Sequence, residues 1–86
     1  DLGIIYAIVS SYRNRPVDEH LVAFGEVGLS GEVRAVSAAE QRVYEAQKMG
    51  FTTCVIPKSN KDKIKKIEGM KVIGVASVAE ALEIIV

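Results

Sequence analysis

The stretch GEVGLSGEVRAVSAAEQRVYEAQKMGFTTCVIPKSN, residues 25–60, holds the succession of signals that decides the fold. It continues an apolar run, LVAFGEVGL at 21–29, which reads as a strand with Val22 and Phe24 on one face, because side chains alternate along extended backbone. Residues 28–31, bounded by glycines, then supply a turn. EVRAV at 32–36 reads as a second strand, and the two form a hairpin. Ser37 opens a helix in which Ala39, Val43 and Ala46 make the inward stripe, and Gly50 stops it. TTCVIP at 52–57 is a short buried strand ended by Pro57.

Outward from this stretch, residues 2–13 place Leu2, Ile5, Ile8, Val9 and Tyr12 at helical spacing among other apolar residues, which predicts a helix buried on more than one side. Asn14 and Arg15 before Pro16 break it, since the residue before proline is pushed out of the helical region. A polar loop with His20 leads into the first strand. Past residue 60, a lysine-rich helix over about 60–67, the strand KVIGV at 71–75 and a helix over 78–85 complete the order. Ser37-x-x-Glu40, Ser59-x-x-Asp62 and Ser77-x-x-Glu80 each match, or nearly match, the capping box, in which a serine hydroxyl accepts from an early helix amide and the acid reaches back. Strands alternating with helices after an initial hairpin give an α/β sandwich with a mixed sheet.

With 86 residues, the chain makes one small domain or part of one, and its margin of stability is thin because short chains bury a smaller share of their surface. Apolar residues are 49% and charged residues 26%, too hydrophobic a mixture for a disordered tail. A formal net charge of zero gives no whole-chain electrostatic argument for nucleic acid or an acidic membrane surface. Local charge differs: lysines 58, 61, 63, 65, 66 and 71 are offset only by Asp62 and Glu68, on a segment that either faces an anion or forms a solvated helix face. The single cysteine, Cys54, excludes a disulfide framework or cysteine-based zinc site within the chain, and its setting in TTCVI marks a small buried hydrophobe. No apolar stretch has the length to cross a bilayer and no signal peptide precedes the fold, so the expected compartment is the cytoplasm, with no membrane partner. Asp1 runs at once into LGIIYAIVSSY without an initiator methionine, which reads as a C-terminal fragment of a larger protein.

Glycines 25, 28 and 31 are spaced GxxGxxG, not GxGxxG, and lie between strands, where they serve a turn and not a phosphate site at a helix start. No Walker A sequence occurs, so this chain alone has no ATP chemistry. Among the serines, Ser10 and Ser11 fall in the first helix, Ser30 in the turn, and 37, 59 and 77 in apparent caps, which accounts for the last three without nucleophilic catalysis. His20, beside Asp18 and Glu19, is the only histidine; it reads as an exposed loop residue, and one histidine is too few for a usual metal cluster.

The pattern FGEVGLSGEVRAV, a helix, then GFTTCVIPKSN resembles the Lon-type proteolytic domain, whose fold is of the ribosomal protein S5 domain 2-like kind. That resemblance implies a Lon-protease-like α/β sandwich with a mixed sheet, here lacking its N-terminal part, and chemistry by a serine–lysine pair. Ser37 and Ala38 stand in place of a Gly-Gly pair, Ala39 of a leucine, and Glu40 of the catalytic lysine; the serine would precede Asp1. A carboxylate at 40 removes the amine that would activate serine. Arg42, two residues on, points away from the Glu40 face, and Lys48 lies more than two turns further, so neither substitutes. Glu40 then reads as the acid of the Ser37 capping box.

Within the Lon-like group, Arg13-Asn14-Arg15-Pro16, Gly25-Glu26-Val27-Gly28-Leu29, Gly31-Glu32-Val33-Arg34 and Glu40-Gln41-Arg42 most resemble the Lon-like domain of the RadA (Sms) family of bacterial DNA-repair proteins. The resemblance implies residues 1–86 as the C-terminal part of one Lon-like domain, following a zinc finger and a RecA-like ATPase that this chain lacks. ATP, Mg and Zn are accordingly expected of the full-length protein and no cofactor of this segment. It further implies a homo-oligomer in the form of a hexameric ring, DNA and a RecA-type recombinase as partners, and a role in branch migration during homologous recombination. The expected function is a non-catalytic scaffold and DNA-contact module, with Arg13, Arg15, Lys58 and Lys61 as candidate DNA contacts. Two alternatives stay open: a Lon-type peptidase using another base, and a protein-interaction module whose apolar first helix is the adhesive surface.

Overall fold

The computed structural model describes residues 2, 3, 5 and 18–85. Its strands are β1 (Leu21–Ala23), β2 (Glu26–Val27), β3 (Val33–Arg34), β4 (Thr53–Pro57) and β5 (Lys71–Val75), and its helices α1 (Ala39–Lys48), α2 (Lys58–Lys61) and α3 (Val78–Ile85). Leu2, Gly3 and Ile5 are helical, and the remainder of the helix expected over 2–13, with its break at Pro16, lies outside the described residues.

β1, β4 and β5 form a three-stranded sheet in the order β1-β4-β5, parallel throughout, while β2 and β3 pair antiparallel in a separate ribbon. The expected mixed sheet is therefore two sheets. The expected strand over 21–29 divides where Phe24 still donates to the Val55 carbonyl at 3.0 Å and Gly25 turns away. A Cβ at Gly25 would lie 2.9 Å from Val33 Cγ1 and 3.2 Å from Pro57 Cγ, so this buried crossing of β1, β3 and β4 admits only glycine without displacement. The ribbon is the expected hairpin, closed by Gly31 N–H donating to the Gly28 carbonyl at 3.0 Å. It is tied to the start of α3 by Val33 N–H on the Ala76 carbonyl and Val78 N–H on the Gly31 carbonyl.

Alternation along the strands sends side chains to two cores. Leu21, Ala23, Val55, Ile73 and Val75 face a cluster with Leu2, Val33, Ala81 and the apolar side of α3. Val22, Phe24, Cys54, Ile56 and Val72 face the other, with Val43, Ala46, Ile67 and Met70. β4 is the middle strand and covered on both faces, which is why Cys54, Val55, Ile56 and Pro57 are all buried and its sequence is an unbroken apolar run.

α1 buries Ala39, Val43 and Ala46, the expected stripe. Beyond it Gly50, at φ +98°, donates to the Gln47 carbonyl and Phe51 to the Ala46 carbonyl, both at 3.1 Å; this is the Schellman arrangement that glycine favours. Its start departs from expectation. The flanking residue is Ala38, in the left-handed region at φ 55°, and no side chain caps the helix, so neither Ser37 nor Glu40 forms a capping box. Ser59 lies inside α2 and does not cap it. Only the third box forms: Glu80 N–H donates to Ser77 Oγ at 3.2 Å, and Glu80 Oε1 accepts from Ala76 N–H at 3.3 Å, one residue further back than the standard pattern.

The lysine-rich helix is one turn, residues 58–61, starting directly after β4, and not the longer helix expected over 60–67. Lysines at i,i+3 and i,i+4 spacings (58/61, 61/65) repel one another along a helix. Leaving the helix also lets Ile64 and Ile67 reach the second core.

Candidate functional site

An open cleft of about 310 Å³ lies at the carboxyl end of the parallel sheet, lined by Phe24, Gly25, Glu26, Ala35, Val36, Ser37 and Arg42. Phe24 reaches it because it directly follows β1, and Arg42 because it sits in the first turns of α1. The Arg42 guanidinium stands 5.7 Å from the centroid of the Phe24 ring, a cation–π contact of about 0.5–1 kcal/mol at an exposed site. The opposite wall, 35–37, is fixed from outside. Asn60 Oδ1 accepts from Val36 N–H at 2.9 Å and Asn60 Nδ2 donates to the Val36 carbonyl at 3.0 Å, so one side-chain amide satisfies both polar groups of that residue.

Glu40 is exposed on the first turn of α1 and is not among the cleft-lining residues. A carboxylate there meets the positive end of the helix dipole, the favourable end for an anion. Arg42 turns to Phe24, as its two-residue offset from Glu40 requires, and Lys48 is eight residues further along α1, about 12 Å at 1.5 Å per residue. Among the described residues no serine hydroxyl hydrogen-bonds to a histidine, lysine or carboxylate; the Ser77 hydroxyl is taken by its cap, and Ser30, Ser37 and Ser59 make no such pair.

His20 is exposed at the opposite, amino end of the sheet. Its N–H donates to Asp18 Oδ1 at 2.8 Å, and its ring lies 3.5 Å from Asp18 and 4.0 Å from Glu19, a local turn and not a relay to a nucleophile. Burial pushes the Cys54 thiol up to about 11, so it stays protonated and unreactive, as its apolar setting implied.

Of the four candidate DNA contacts, Arg13 and Arg15 lie outside the described residues. Lys58 and Lys61 are together on α2, exposed, at the same end of the sheet as the cleft. Lys63, Lys65 and Lys66 follow in the exposed loop, whereas Lys71 begins β5 at the far end, so the lysine run is not one patch. Among the described residues none of these lysines has a carboxylate within ion-pair distance. The Asn60 clamp and the Arg42–Phe24 contact were not foreseen. Both join residues far apart in the chain, and the only signal for Asn60 was a polar residue three positions past the proline that ends a buried strand.

The model of the Lon protease (S16) C-terminal proteolytic domain matches residues 1–86. The DNA repair protein RadA of Bacillus subtilis is 54% identical over 82 residues, which is 95% of this chain and 18% of that protein. RadA of Salmonella typhimurium is 48% identical and RadA of Escherichia coli 45% identical, each over 84 residues, 98% of this chain and 18% of theirs. The chain thus spans 18% of the length of these curated relatives. The likeness runs over the whole chain, which belongs to the Lon C-terminal domain family and is homologous to the bacterial DNA repair protein RadA.

Proposed function

We propose that this chain is a non-catalytic Lon-like scaffold and DNA-contact module of a RadA-type DNA-repair ATPase acting in homologous recombination and branch migration. The observation that supports a non-catalytic reading is Glu40: the residue that the resemblance sets at the lysine position is an exposed carboxylate in the first turn of α1. The relatives' name, DNA repair protein RadA, supports the setting. Lys58 and Lys61, exposed and without acidic partners among the described residues, support contact with phosphates. In this reading residues 1–86 are the C-terminal part of one Lon-like domain, in a cytoplasmic protein whose zinc finger and RecA-like ATPase use Zn, ATP and Mg. That protein assembles as a hexameric ring and works with a RecA-type recombinase. No helix among the described residues is long and apolar enough to cross a membrane.

The full-length protein tests both halves. It is expected to give no labelling by a serine-directed fluorophosphonate, and labelling inside this domain would restore the peptidase reading. Duplex DNA binding is expected to weaken steeply with salt, as phosphate-driven binding does. Binding indifferent to salt, or unaffected by deleting residues 1–86, would remove the DNA-contact role.

A further inference from the structure

We propose that Asn60 is the positioning residue of the phosphate-contacting surface: by clamping Val36 it fixes the single helical turn that presents Lys58 and Lys61. This rests on the DNA-contact reading. α2 has four residues, no side-chain cap, and two lysines that repel each other, whereas isolated helices much longer than this are marginal in water. Its placement must come from elsewhere, and beyond its direct continuation from β4 the structure supplies two anchors. One is the paired hydrogen bond of Asn60 to both backbone groups of Val36, the pattern a neighbouring strand would give, at 2.9 and 3.0 Å. The other is the close seat on β5 at Gly74, where a Cβ would lie 3.1 Å from Lys58 Cα and 2.9 Å from Lys61 Cδ.

Asn60 also sets the orientation of the turn. At about 100° per residue, Lys58 lies roughly 200° and Lys61 roughly 100° around the helix from Asn60. Holding the Asn60 side chain against residue 36 therefore fixes the rotation of the turn, with the stem of Lys61 laid over Gly74 and both lysines left exposed. No other side chain of α2 hydrogen-bonds across the fold among the described residues.

The test measures duplex DNA binding by the full-length protein across a salt series. The K58A/K61A double variant is expected to lower the slope of log affinity against log salt by about 2, one per phosphate contact. Wild type then loses roughly 15-fold more affinity than this variant between about 50 and 200 mM salt. Asn60→Ala, which removes no charge, is expected to lower the slope comparably and to add nothing on top of K58A/K61A. Gly74→Ala, which pushes the turn from the other side, is expected to reproduce N60A, and serves alone if N60A does not fold. An unchanged slope for K58A/K61A overturns the DNA-contact reading and this inference with it. A lowered slope for K58A/K61A, with N60A and G74A at the wild-type slope or additive to it, overturns only the positioning role.

Discussion

At the start of α3 the Glu80 amide donates to Ser77 Oγ and the Glu80 carboxylate reaches back to the Ala76 amide; at the start of α1 the same Ser-x-x-Glu spacing makes neither bond. The difference lies in the residue before each helix. Ser77 is held extended by its bridge to Glu32, so the backbone enters α3 from the β region, where a serine hydroxyl overhangs the first amides. At α1 the left-handed Ala38 intervenes, and Ser37 is left one position outside the helix. A capping motif is therefore a statement about backbone entry as much as residue type, and a single positive φ cancels it. Glycine enters the left-handed region freely, and alanine does so at a cost.

The largest effect that would break this contrast is at position 38. Ala38→Val puts a β-branched side chain in the left-handed region and is expected to cost about 2 kcal/mol in urea unfolding. A neutral result would mean that α1 begins with ordinary backbone. Next, Ser77→Ala is expected to lose about 1 kcal/mol, a fall of roughly 5 °C in midpoint, while Ser37→Ala changes stability by no more than about 0.5 kcal/mol. Equal losses at the two serines would show that α1 is capped after all. The smallest effect sharpens the comparison: Ala38→Gly is expected to raise stability by roughly 0.5 kcal/mol, the left-handed penalty relieved less the added freedom of the unfolded chain. A loss at this position instead would assign Ala38 a packing role.

Much of the fold was legible where it rests on local periodicity. The stripe of Ala39, Val43 and Ala46, the stop at Gly50, the glycine-bounded hairpin and the strand KVIGV all announce themselves within a few residues of each other. The division of 21–29 into two sheets was not legible, because it depends on Val33 and Pro57 crowding Gly25 from distant parts of the chain. The lysine helix was read too long because Ile64 and Ile67 at helical spacing imitate a helix face, while tertiary burial takes them as part of a loop. The candidate site suffered most: Glu40 could be judged from its residue type, but Asn60 and Arg42 matter through partners 24 and 18 positions away.

β4 passes into α2 at Pro57 without an intervening residue, and Pro57, at φ −58°, is buried and still paired with Val75. Lys58 is thereby attached to the best-covered strand of the molecule with no tether. Its backbone is ordered once, when the domain folds, so a ligand docking there need not supply the roughly 1–2 kcal/mol of conformational entropy that fixing each loop residue would require. A charge mounted in this way stays within one side-chain reach of the sheet: it can meet a phosphate inside that radius and not beyond it, whereas a lysine on a floating loop carries its whole attachment point along with it.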